Sequence, residues 1–256
     1  MINHLLAGLS ALAAGIINAL AGGGTLITFP TLLAIGLAPI SANVTSSTAL
    51  CPGFLGGTLA QKEDLKDQKK RLMIVIPAAV LGGLTGALLL LQTAEKLFSN
   101  LVPFMILLAS ALLAVQIPLR NWLIRRQTHA STKPIPEALI FLPIFLCAIY
   151  GGYFGAGMSV IVLALLGLLL NDSLTRLNAL KQTIAFSANF TAALLFIFSG
   201  KVVWGIAVVM MVGALLGGSL GGRLASRVRP AVLRWIVVSI GLVVGTIYLV
   251  RTFFLT

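Results

Sequence analysis

Eight apolar runs fill this chain almost end to end, at residues 4–37, 43–60, 72–91, 101–119, 137–170, 177–199, 202–222 and 231–254. A backbone placed in hydrocarbon must satisfy its own hydrogen bonds, so runs of this length restrict the fold to an all-α polytopic membrane protein. Two runs exceed what one crossing needs. Residues 4–37 and 137–170 would each extend about 50 Å as a straight helix, against a hydrocarbon core of about 30 Å. Each is interrupted near its middle by a glycine cluster, Gly22-Gly23-Gly24 in one and Gly155-Ala156-Gly157 in the other. Both helices are expected to break there.

Composition removes the main alternatives. Hydrophobic residues make up 59% of the 256 and charged residues only 9%, with a mean hydropathy of +1.06, far from any soluble domain. The polar stretches 61–71 and 120–136 are too short to bury a core, so one membrane domain spans 1–256. The net charge of +12 falls in short basic clusters without interleaved aromatics, the pattern that orients a membrane protein rather than one that binds nucleic acid. Cys51 and Cys147 lie in apolar or glycine-rich segments and read as small packing residues. The N-terminal Met-Ile-Asn-His carries no Lys or Arg, so the first apolar segment is expected to stay rather than be cleaved as a signal. An enzyme would need paired acids, a nucleophile with its base, or a metal motif. His4 and His129 sit at the terminus and in a basic stretch, and nothing else calls for a metal or cofactor.

The two halves correspond at a shift of 135 residues: Asn43 and Thr48 align with Asn178 and Thr183, and Gly82, Gly83 and Gly86 with Gly217, Gly218 and Gly221. This is the mark of an internal duplication, although small residues at such spacing also serve close helix packing. Charge decides the orientation. If each long segment is a broken hairpin, the basic stretches 61–71, 120–136, 171–176 and 223–234 all face the cytoplasm. They hold fourteen Lys or Arg, against Lys96, Lys201 and Arg251 outside, the bias that cytoplasmic loops show. If each segment crosses once, the bias largely disappears. The hairpin reading gives a first repeat at 1–119, a cytoplasmic basic loop at 120–136 and a second repeat at 137–256. Each repeat is a hairpin followed by three transmembrane helices, the two are inverted, and both termini lie outside. Inverted repeats belong to transporters that bind their cargo near the midplane.

Further residues carry a family resemblance. The run from Asn18 through Gly22-Gly23-Gly24 to Phe29-Pro30, with Gly36 and Ala42-Asn43-Val44-Thr45, resembles the first signature of the TauE/SafE sulfite-exporter-like membrane proteins. Gly151-Gly152-Tyr153-Phe154-Gly155-Ala156-Gly157 is similar to the second, and the likeness covers nearly the whole chain. It implies a permease of the cell inner (plasma) membrane with sulfite, sulfonates or related organosulfur anions as cargo. The sequence departs in having three consecutive glycines rather than four, and Lys181-Gln182 where an Asn-Lys pair is common.

The residues themselves also point to an anion. A broken helix offers unpaired N–H groups at a positive dipole end, and glycine lets a ligand approach the backbone. The candidate substrate-binding set is Gly22, Gly23, Gly24, Gly155 and Gly157 at the breaks, with Asn43, Ser46 and Ser47 on one following helix and Asn178, Lys181, Gln182 and Asn189 on the other. The last four share a helical face. Lys181 either pairs with an anionic substrate or extends to the interface beside Arg176. No Asp or Glu lies deep in a span, so a carboxylate proton relay is not expected. A small anion and the lipid bilayer are the expected partners. Import, a channel for another anion, a non-transporting assembly subunit and a homo-oligomer all stay open.

Overall fold

The computed structural model describes residues 2–20, 23–129, 136–224 and 230–254. These form ten α-helices: α1 (Ile2–Leu20), α2 (Thr25–Ala34), α3 (Pro39–Ala60), α4 (Lys69–Gln92), α5 (Glu95–His129), α6 (Phe141–Tyr153), α7 (Met158–Leu169), α8 (Leu174–Phe198), α9 (Trp204–Leu224) and α10 (Pro230–Phe254). Short 3-10 turns at Lys62–Leu65 and Glu137–Ile140 precede α4 and α6. Both long apolar runs break at their glycines, one between α1 and α2, the other between α6 and α7.

At 10 and 12 residues, α2 and α7 reach about 15–18 Å, short of a full crossing. Four helices, α4, α5, α8 and α10, are long and apolar enough to cross a membrane by themselves. Helix α3 has 22 residues but is diluted by a polar face. Asn43, Thr45, Ser46 and Thr48 are all buried, so that face is turned into the protein rather than toward lipid. The lipid-facing surface is made by residues such as Val208, Val212 and Leu216 on α9 and Trp235, Val243 and Ile247 on α10, all exposed.

The helix starts repeat at a fixed interval: Pro39, Lys69 and Glu95 open α3, α4 and α5, and Leu174, Trp204 and Pro230 open α8, α9 and α10, each 135 residues later. Packing repeats as well, with α1 lying along α9 and α6 along α4. These contacts are close because glycine removes the side chain in between. A Cβ on Gly82 would overlap the carbonyl of Phe145, and one on Gly217 the carbonyl of Leu12.

Helix directions follow from the contacts. Gly82 meets Phe145 and Ala148 while Gly86 meets Ile149 and Tyr153, so α4 and α6 are parallel. Gly8 meets Val209 while Gly15 meets Gly218, so α1 and α9 are parallel too. Thr58 bonds the Gln182 carbonyl and Gln61 bonds Asn178, which makes α3 and α8 antiparallel. Ser110 lies against Gly241, Leu107 against Gly245 and Phe104 against Phe253, which makes α5 and α10 antiparallel.

One expected boundary moves. The polar stretch from 120 is not loop throughout, because α5 runs on to His129. Beyond Pro118 the sequence to His129 has no Gly or Pro to stop a helix, and Arg120 and Arg125 stand toward the C-terminal, negative end of its dipole. Residues 130–135 lie outside the described residues, as do Arg227 and Arg229 of the expected basic loop.

Candidate functional site

The first break is closed by its own side chains. Gly23 has φ +93°, in the region an L-residue avoids, and turns the chain from α1 into α2. The Gly24 N–H donates to Asn18 Oδ1 at 2.8 Å. A Cβ on Gly24 would lie 2.7 Å from the Ala14 carbonyl oxygen and 2.8 Å from Asn18 Nδ2. Thr28 Oγ1 bonds Ser46 Oγ at 2.6 Å, tying α2 to α3. Gly22 lies outside the described residues.

The second break is held by backbone. Gly155 and Gly157 have φ +81° and +78°. The N–H groups of Phe154 and Gly155 both donate to the Tyr150 carbonyl, at 2.9 and 3.1 Å, which finishes α6. Tyr150 Oη donates to the Ala156 carbonyl at 2.6 Å and fixes the turn from the side. Gly157 caps α7 with no side-chain hydrogen bond. Among the described residues the N–H groups of Ala156 and Gly157 reach no backbone acceptor, although Ala156 is 1% exposed. Buried N–H groups are seldom left this way, and here two adjacent ones stand at the positive end of a helix.

Polar side chains approach this second break from both repeats. Asn43 on α3 is fully buried and donates Nδ2 to the Tyr153 carbonyl at 2.9 Å, while its Oδ1 has no partner. Asn189 on α8 donates to the Ala185 carbonyl at 2.8 Å, and its Oδ1 is 3.8 Å from where a Gly155 Cβ would stand. Aromatic rings join the two hairpins: Phe29 of α2 meets Phe154 edge-on at 5.3 Å and Phe98 at 6.5 Å.

Asn178, Lys181 and Gln182 stand toward the other end of α8. Lys181 Nζ donates to Asn178 Oδ1 at 2.6 Å, and Asn178 Nδ2 to Gln61 Oε1 at 2.8 Å. Thr58 donates to the Gln182 carbonyl at 3.3 Å. Lys181 makes no ion pair among the described residues; it is held inside by Asn178 rather than extended toward Arg176. Asn189 lies eleven residues beyond Asn178 on the same helix, about 16 Å along it. The polar face of α8 thus leads from Lys181 toward the second break. Ser47 is half-buried on α3.

The structure therefore sorts the sequence candidates into three groups. Asn43, Gly155, Gly157 and Asn189 meet at the second break. Gly23, Gly24 and Ser46 belong to the first. Asn178, Lys181 and Gln182 face the far end of α3. Sequence reasoning missed Asn18, Tyr150 and the aromatic set Phe29, Phe98 and Phe154. Asn18 lies within α1, six residues before the glycine whose N–H it takes, outside the spacing of an N-cap. The Tyr150–Ala156 bond leaves no sequence trace either.

A helical bundle with four helices long and apolar enough to cross a membrane and two interrupted hairpins, whose irregular backbone is enclosed by protein, defines a multi-pass membrane protein of transporter type. A family model described as sulfite exporter TauE/SafE matches residues 7–248, and the chain belongs to that family of membrane transporters. The chain is 27% identical over 223 residues to the "Probable membrane transporter protein YfcA" of Escherichia coli K12, covering 84% of this chain and 79% of that protein. A "Probable membrane transporter protein" of Haemophilus influenzae is 29% identical over 203 residues, 79% of this chain and 77% of its own length. "Probable membrane transporter protein ORF9" of Sinorhizobium sp is 27% identical over 218 residues, 83% and 80% respectively. No solved structure matches the chain.

Proposed function

We propose that this transporter carries a small anion, namely sulfite, a sulfonate or a related organosulfur anion, outward across the inner membrane. The observation that carries the proposal is the pair of unspent N–H groups at Ala156 and at the left-handed Gly157, buried at the start of α7 just after the left-handed Gly155. Donors of this kind stabilise negative charge and offer nothing to a cation. Lys181, a cation in a span with no carboxylate beside it, supplies the second attraction. In this reading Gly155, Gly157, Asn43 and Asn189 form the seat, and Asn178, Lys181, Gln182 and Ser47 line the approach. Gly22, Gly23 and Gly24, with Ser46, form the counterpart hinge in the first repeat.

Movement would come from two inverted repeats, 1–119 and 137–256, joined by the basic segment 120–136 on the cytoplasmic side. Support comes from the equivalent helices that touch, because α3 against α8 and α5 against α10 are both antiparallel. A duplicated unit packed head to tail on itself gives two related arrangements, each opening one side. An inside-negative potential drives a monoanion outward with about 2.3 kcal/mol per 100 mV, enough without a coupling ion.

Proteoliposomes loaded with radiolabelled sulfite, with a potassium-diffusion potential imposed, test this. Efflux is expected to rise with a potential negative on the loaded side. Flux that ignores voltage and demands a sodium or proton gradient would overturn the mechanism, and absence of both flux and binding for sulfite and for a short alkyl sulfonate would remove the cargo.

A further inference from the structure

The two hairpins are anchored differently at their feet. The second leaves the membrane end at Glu137, just before α6, and returns at Asp172, just after α7. A single guanidinium spans both: Arg71, at the start of α4, donates Nε to Glu137 Oε1 at 3.1 Å and Nη1 to Asp172 Oδ2. The arrangement continues on each side. Arg71 also donates to Gln68 Oε1 at 3.1 Å, and Gln68, 1% exposed, donates to the carbonyls of Asp64 and Arg176 at 2.7 and 3.3 Å. Asp172 in turn accepts from Arg176 Nε and from the Ser173 N–H. The side chains of Arg71 and Asp172 are only 17% and 15% exposed, so these bonds are partly shielded from water and worth more than surface pairs.

Among the described residues the first hairpin has no such anchor. The positions 135 residues away from Arg71, Asp172, Glu137 and Gln68 are Ile206, Leu37, Ile2 and Val203. Ile206 is buried in the apolar core and Leu37 packs against it in part. The polar contacts at that opposite end are Val203 N–H to Thr45 Oγ1 at 3.1 Å and Ile40 N–H to Glu95 Oε1 at 2.8 Å. Among the described residues, the charged cluster thus stands at one end of the bundle and not at the corresponding place of the other half, across the hairpin that carries the unspent N–H groups.

We infer that Arg71, with Glu137, Asp172, Arg176 and Gln68, is a clasp that holds the second hairpin shut at the basic end of the bundle and must open for the second break to be reached from that side. The inference rests on the alternating-access reading above and names the device that biases its two states. Arg71 acts through the hairpin and not on the cargo, so it is a positioning residue. Breaking one charge-assisted bond shifts a two-state balance by on the order of tenfold.

The test reads access without needing any cargo. With Cys51 and Cys147 replaced by Ser, Ser159→Cys is placed beside the second break. It is labelled with a membrane-impermeant maleimide in inside-out and right-side-out vesicles. Arg71→Gln and Asp172→Asn are expected to raise labelling from the basic-loop side on the order of tenfold, and Arg71→Lys to keep it near the parental rate. Unchanged labelling in variants that remain monodisperse overturns the clasp, as does equal labelling of the Gln and Lys variants. Should the neutral variants fail to insert, Arg71→Cys with Asp172→Cys joined by a short thiol-specific crosslinker gives the answer. Reversible loss of labelling at position 159 on crosslinking, read by peptide mass spectrometry, supports the clasp, and labelling at 159 indifferent to the crosslink rejects it. If labelling responds as expected while sulfite flux is absent in the parent, the clasp stands and the cargo assignment falls.

Discussion

The two glycine breaks stand at corresponding places in the two halves, yet they leave different chemistry exposed. At the first, Asn18 reaches forward to take the Gly24 N–H, and Thr28 and Ser46 satisfy each other beside it. At the second, the Ala156 and Gly157 N–H groups reach no backbone acceptor among the described residues, and Tyr150 holds the turn by a carbonyl instead of an N–H. An N–H already taken by an amide oxygen has no attraction left to offer an anion, while one without an acceptor keeps it. The two long apolar runs each break at a glycine joint; the side chains around them make one a structural joint and the other a candidate seat.

The sharpest way to break that comparison is to fill the second joint. Gly157→Val places a β-branched residue at φ +78°, a conformation that costs an L-residue about 1–2 kcal/mol before any clash. Its Cβ would lie 3.2 Å from Ala109 Cα, a backbone atom that cannot turn aside. Sulfite flux in proteoliposomes is expected to drop by about a hundredfold or more, two steps of ~1.4 kcal/mol, while the protein still inserts and purifies as a single species. Transport at the parental rate would make the second break a packing feature.

Next in size is Lys181→Met. The ammonium is held by Asn178 Oδ1 at 2.6 Å and makes no ion pair among the described residues, so an arriving anion gains a charge-assisted bond of about 1.5–3 kcal/mol. The apparent KM for sulfite is expected to rise about ten- to a hundredfold, with Lys181→Arg retaining most of the affinity. A KM unaltered in the Met variant would detach the polar face of α8 from the cargo path.

Much of this arrangement was legible before any coordinates. The apolar runs 177–199, 202–222 and 231–254 placed α8, α9 and α10 to within a few residues of their starts at Leu174, Trp204 and Pro230, and Ser173, whose Oγ accepts from the Arg176 N–H, marks the head of α8. Apolar length exposed both hairpins, since no single helix of that size fits the bilayer. What stayed hidden depends on partners distant in sequence. The end of α5 at His129 falls in a polar stretch where hydropathy gives no signal. The Arg71–Asp172 pair joins residues 101 positions apart, and the unpaired Asn43 Oδ1 is known only once Tyr153 has taken the amide. Local patterns fix helices; which donors remain unspent is decided by their neighbours.

A smaller effect is expected at the first joint. Asn18→Ala removes the acceptor of the Gly24 N–H, a cap worth about 1 kcal/mol, and should lower the melting temperature in detergent with little change in the KM for sulfite. A loss of flux matching that of Gly157→Val would move the seat to the first break and reverse the comparison.

The smallest expected effect concerns how the second hairpin is held, and its sign follows from Asp172. Burial alone would raise the pKa of this carboxyl, but hydrogen bonds from Arg71, the Ser173 N–H and Arg176, with the Arg176 charge, outweigh that and hold it below the usual carboxylate range. Glu137 shares Arg71 and is the other acid facing the cluster. A carboxyl whose folded pKa is depressed stabilises fully above its unfolded value of about 3.9 and loses that contribution as pH falls through the folded value. The melting-temperature difference between the parent and Asp172→Asn should therefore be constant from about pH 8 to pH 5 and shrink only below about pH 4. A difference that already shrinks between pH 7 and pH 5 would mean that the carboxylate is not held by its arginines. The second hairpin would then be anchored no more firmly than the first, and the contrast between the two joints would rest on the backbone alone.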